Sequence, residues 1–172
     1  RTHPYWARDL EELRAEARGL DLDALRPWDV SWVMEEIRRA RFELDEEELR
    51  PYFPLNRVLE GLFELARRLF GVVVHEVEIE ERWHPDVRYH ELRSEDGHLL
   101  GAFYADLFPR PEKRQGAWMS DFIYGVGGDP HLANICANFP PPSERRPALL
   151  SHRDVETLFH EFGHRLHHCT SR

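Results

Sequence analysis

His160 and His164 stand four residues apart, with Glu161 between them, in the pentapeptide His160-Glu161-Phe162-Gly163-His164. On a helix, positions i and i+4 lie on one face, so both imidazoles can offer a nitrogen to a single ion. Glu161 follows the first histidine directly and can reach a water held on that ion. A carboxylate placed there can act as general base, which makes the spacing an HExxH signature of metal-assisted hydrolysis. The site residues read from the sequence are therefore His160 and His164 as metal ligands and Glu161 as the catalytic base.

Histidine is abundant here, with 11 in 172 residues, so the pentapeptide needs a structural setting. Val155, Leu158, Phe159, Phe162 and Leu166 recur at helical spacing around it. Ser151 precedes that run and Asp154 follows three residues later, a variant of the capping box that starts a helix. The spacing predicts a helix over 152–168. The competing reading is a buried amphipathic helix whose histidines are satisfied within the core.

The chain is long enough for one domain with a modest core, and 41% apolar residues mark it as globular. A net charge of −9 argues against a nucleic-acid binder. Cys136 and Cys169 are far apart and form no CxxC pattern, which fits free thiols in a reducing compartment. There is no apolar run long enough to span a membrane, and no signal peptide is visible. A cytoplasmic location is the expectation from these features. Its start at Arg1 without Met, and its end at Arg172 soon after His168 without a Gly or Pro stop, suggest a fragment, a processed product or a trimmed chain.

The elements that must position the motif follow from periodicity. Residues 5–18 and 29–42 read as amphipathic helices, the second with Trp32, Val33, Ile37 and Ala40 on its apolar side. Asp45 to Glu48 reads as an acidic, solvated helix start. A third helix over 54–70 turns Val58, Leu62, Leu65, Ala66 and Leu69 to a core and stops at Gly71. Residues 72–80 then alternate, most strongly through Val73, His75, Val77 and Ile79. Strands over 87–93 and 98–107 flank an Asp96-Gly97 turn, and a fourth short strand is expected over 133–139. We expect this last strand at a sheet edge or in the interior, with equal support for each. The glycines at 125, 127 and 128 do not match GxGxxG and read as a loop. His84 and His90 read as the start and the face of a strand rather than ligands. His167 shares the helix face of His160, where a supporting or packing role suits it better than ligation.

The stretch Pro147–His168, which contains the motif, closely resembles the thimet oligopeptidase and oligopeptidase A family of zinc peptidases. Three further segments resemble it in the same order: Leu49–Pro54, Trp83–Arg88 with Glu91 and Leu92, and Gly101–Leu107 with Lys113–Met119. The bacterial oligopeptidase A branch is the most similar. The resemblance implies a mainly α fold with a small antiparallel β-sheet (α+β), a zincin-like catalytic segment built around the HExxH helix. It implies one zinc ion as cofactor and short peptides as substrates, with no nucleic acid or membrane partner. It further implies that the third ligand is a glutamate beyond residue 172. The expected organisation is a single segment, helical over 1–71, with a small sheet and loops over 72–139 and the active-site helix over 151–168. The alternative is a non-catalytic piece that binds zinc weakly.

Overall fold

The computed structural model describes residues 3–22, 24–42, 46–127 and 129–170. Its helices are α1 (His3–Gly19), α2 (Val30–Phe42), α3 (Glu46–Leu49), α4 (Leu55–Phe70) and α5 (His152–Thr170), and a 3₁₀ turn covers Arg50–Tyr52. Its strands are β1 (Val72–Val77), β2 (Arg88–Ser94), β3 (Leu99–Asp106), β4 (Trp118–Ile123) and β5 (His131–Cys136). The chain divides into two compact units, Arg1–Glu48 and Leu49–Arg172. Asp45 and Gly128, named in the sequence reading, lie outside the described residues.

In the first unit α1 packs on α2, burying Ala17 and Val33. Arg41 bridges the two helices through Glu12 at 2.6 Å, an exposed pair that adds little stability. Trp32 and Ala40, expected on the apolar side of α2, are exposed instead. A two-helix unit has only one narrow seam to fill, and Val33 takes it.

The second unit is a five-stranded sheet in the order β1-β2-β3-β5-β4, with α4 and α5 on one face. The expected small sheet is present and mostly antiparallel, with β1–β2, β2–β3 and β4–β5 paired that way, but it departs from the expectation on two points. β3 and β5 run parallel, pairing Gly101 with His131 and Asp106 with Cys136. β4 was not foreseen as a strand at all. Its sequence, Trp118-Met119-Ser120-Asp121-Phe122-Ile123, alternates too weakly to announce itself. The chain leaves β3, crosses to the far edge as β4, and turns back as β5 between the two. The fourth expected strand is thus interior, and β4 and β1 are the two edges. β5 also ends at Cys136 rather than 139, after which Asn138 donates to the carbonyls of Arg114 and Gly116.

Core formation follows the helix stripes. Leu55, Val58, Leu59, Leu62 and Ala66 of α4 are buried, each worth about 1.5–3 kcal/mol for the larger side chains. Leu65 and Leu69 were expected in the core but are 41% and 63% exposed. They lie to the side of the stripe that meets the sheet. Gly71 ends α4 at φ 65°, its N–H donating to Arg67 O. In β1 the core takes Val72 and Val74, the opposite face from the one with the stronger apolar alternation. Ile79 falls beyond the strand, which stops at Val77.

Two buried polar groups make this core sensitive to acid. Burial alone would raise the pKa of Asp106, but hydrogen bonds from Arg110, Lys113 and Trp83 outweigh it and hold the carboxyl at about 2. His90 is 1% exposed and stacks on Phe103, with ring centroids 4.8 Å apart. Burial, aided by the charge of Arg88, pushes its pKa down to about 4. In an unfolded chain histidine titrates near about 6.5, so the folded state binds fewer protons between those two values. Stability is therefore complete above about pH 6.5 and falls as the pH drops towards 4, by about 3 kcal/mol from this group. Urea unfolding at pH 7.0 and at about pH 4.5 should show that loss, above the range where Asp106 titrates. His90→Phe should reduce it, and an equal loss in the parent and the variant would rule His90 out as its source.

Candidate metal site

α5 forms where the capping pattern places it. Asp154 N–H donates to Ser151 Oγ at 3.1 Å, and Ser151 N–H donates to Asp154 Oδ2 at 2.9 Å. Leu158 and Phe162 point into the core, and Phe162 meets Phe63 and Phe103. Gly101 lets the helix approach β3 closely. A Cβ there would lie 2.6 Å from Cys169 Sγ and 2.9 Å from His131 O.

Arg165, one residue past the motif, is fully buried on the same inner side. Its Nη2 donates to the carbonyls of Ala102 and His131, so it joins α5 to both β3 and β5. Among the described residues its Nε and Nη1 have no hydrogen-bond partner, and burial lowers its pKa. Nothing in the sequence pattern announced a buried arginine at this position.

The opposite face of α5 is open. His160 and His164 are exposed, and their Nε2 atoms lie 3.0 Å apart. The rings stand at 88° with centroids 4.6 Å apart. Two nitrogens this close can both lie about 2.0–2.1 Å from one point, the length of a zinc–imidazole bond. Glu161 is half-buried beside them. The pair therefore fits two positions of a zinc coordination sphere. Among the described residues no group of three His, Cys, Asp or Glu side chains could hold a metal ion. His84 lies in the loop before β2, His90 is in the core, and Cys169 is buried against Gly101. His167, expected to support or pack, is exposed.

The sequence reading missed a polar cluster where α5 meets the edge strand. His168 Nε2 lies 3.2 Å from Asp121 Oδ1 of β4. Tyr124 donates its hydroxyl to Asp121 Oδ2 at 2.6 Å, and its ring lies edge-on to His168, as does that of His131. Burial lowers the pKa of His168, and the charge of Asp121 opposes that shift. Glu161, His164 and His168 recur at i, i+3 and i+7, so they share one stripe of the helix. Contact between His168 and Asp121 seats the C-terminal end of this stripe on β4, a terminal strand of the sheet among the described residues. With β4 unread as a strand, Asp121 carried no signal.

The chain belongs to a family of peptidases, Peptidase family M3, whose model it matches over residues 1–172. It is 42% identical over 178 residues to oligopeptidase A of Escherichia coli (strain K12), covering 100% of this chain and 26% of that protein. It is 44% identical over 151 residues to dipeptidyl carboxypeptidase of the same organism, covering 86% of this chain and 22% of that protein. An organellar oligopeptidase A of Arabidopsis thaliana is 36% identical over 177 residues, which is 95% of this chain and 22% of that protein. The chain thus spans about a quarter of the length of the curated relatives it matches. No helix among the described residues is long and apolar enough to cross a membrane.

Proposed function

We propose that this chain is the motif-bearing segment of a cytoplasmic zinc metallopeptidase that hydrolyses short peptides. The observation that carries this reading is the convergence of His160 Nε2 and His164 Nε2 beside Glu161, on the open face of α5, in a member of a peptidase family. His160 and His164 would hold the zinc. The third ligand, by family resemblance, is a glutamate that follows residue 172. When bound, zinc supplies Lewis-acid polarisation of water and of the scissile carbonyl.

The rest of the chemistry belongs to the chain. Glu161 accepts a proton from the attacking water as general base, then returns it to the leaving amine as general acid. Its carboxylate is regenerated, and no bond forms between substrate and protein. A carboxylate in this role is worth about 10²–10⁴-fold in rate. An extended peptide lies along the free edge of β4, where unpaired backbone groups can bind its main chain. This replaces β5 as the candidate edge. The stripe carrying Glu161 and His164 then faces the peptide backbone.

The test is metal removal from the full-length protein. A chelator should abolish hydrolysis of a short unstructured peptide, and about one zinc per chain should restore it. Undiminished cleavage after complete removal of metal would exclude this function.

A further inference from the structure

We propose that the β4–β5 hairpin carries a side-chain subsite that selects peptides with a large apolar residue next to the cut, with Phe122 as its main determinant. This deepens the peptidase reading and rests on it. β4 is an edge strand, and its pairing with β5 slips between Asp121 and Ile123, so Phe122 sits on a bulge. Bulges at sheet edges re-aim a side chain. Here Phe122 is aimed to the sheet face away from α5, where it meets Trp83 and Tyr104 with ring centroids 6.2 Å from each.

That platform is rigid beneath and open above. Trp83 donates its indole N–H to the buried Asp106 at 3.0 Å, and its ring packs 4.9 Å from Tyr104. Even so, Trp83 remains 46% exposed and Phe122 50%. An exposed cluster of aromatic rings beside an edge strand is a surface that a ligand can cover. The occupant follows from strand geometry. In a peptide added to β4, successive side chains point to opposite faces of the sheet. One set passes the Glu161–His164–His168 stripe of α5. The other set falls against Phe122 and Trp83, which offer only aromatic surface to receive it. An aromatic or large aliphatic side chain buries area there, while a small or charged one does not.

The test uses the full-length, zinc-loaded protein and matched short peptides carrying Phe or Ala in turn at each position flanking the cut. The readout is the Phe/Ala ratio of kcat/KM. One of two neighbouring positions should show a ratio of about tenfold or more, as expected for apolar discrimination on an open surface. Phe122→Ala should cut that ratio to about threefold or less, and Phe122→Thr, which keeps a strand-favouring residue, should do the same. Leu69→Ser, at an exposed position on α4, should leave the ratio at its parent value. Cleavage that shows no Phe preference at any position, or a ratio that survives both Phe122 variants, overturns the subsite and leaves the peptidase reading standing. If the parent cleaves none of the peptides, the peptidase reading fails and the subsite falls with it.

Discussion

Glu161→Gln in the full-length protein should keep its zinc and lose hydrolysis by at least about 10²–10⁴-fold in kcat. Glutamine preserves the size and hydrogen-bonding reach of the side chain but cannot take up a proton at neutral pH. Glu161 sits beside the two imidazoles without being one of the converging donors, so metal binding should survive. It is half-buried at the edge of the helix stripe rather than in the core, so folding should survive as well. The expected pattern is therefore specific: zinc per chain and melting temperature near the parent values, KM little changed, kcat collapsed. A fall in kcat with KM unmoved marks an interaction made in the transition state. Turnover within about tenfold of the parent would remove Glu161 from the role of base.

His160→Ala should reduce zinc from about one per chain to almost none after dialysis against metal-free buffer. Two imidazole nitrogens 3.0 Å apart act as a pair, and removing one leaves His164 to hold the ion with whatever else completes the sphere. His160 is exposed, and its ring contact is with His164, so the metal-free protein should unfold at the parent temperature. Hydrolysis should fall with the metal. His167→Ala is the matched control. It removes an exposed histidine two turns further along the same helix and should leave zinc content as it was. Unchanged zinc in His160→Ala would exclude this residue as a ligand.

Legibility varied along the chain for physical reasons. α5 was readable almost to its ends, because Ser151, Asp154 and the Leu158–Phe162 stripe are local signals that act within one or two turns. The β2–β3 hairpin was readable because Gly97, at φ 88°, closes its turn. α4 was readable as a helix, but not which of its leucines were buried. Leu65 and Leu69 are as apolar as Leu62, and only the position of the sheet separates them. β4 was not readable, since an edge strand needs one apolar face at most, and here Ser120 interrupts one face and Asp121 the other.

The sequence by itself determined that His160, Glu161 and His164 share a capped helix, because i, i+4 spacing and the Ser151–Asp154 box depend only on neighbouring residues. It also determined the resemblance that the family match then established. Tertiary structure alone decided what that helix faces. The crossover that makes β3 and β5 parallel sends β4 to an edge, and the Asp121–His168 contact seats the C-terminal end of the motif stripe on it. Pairing between strands distant in sequence depends on which faces can be buried together, and no local spacing encodes that.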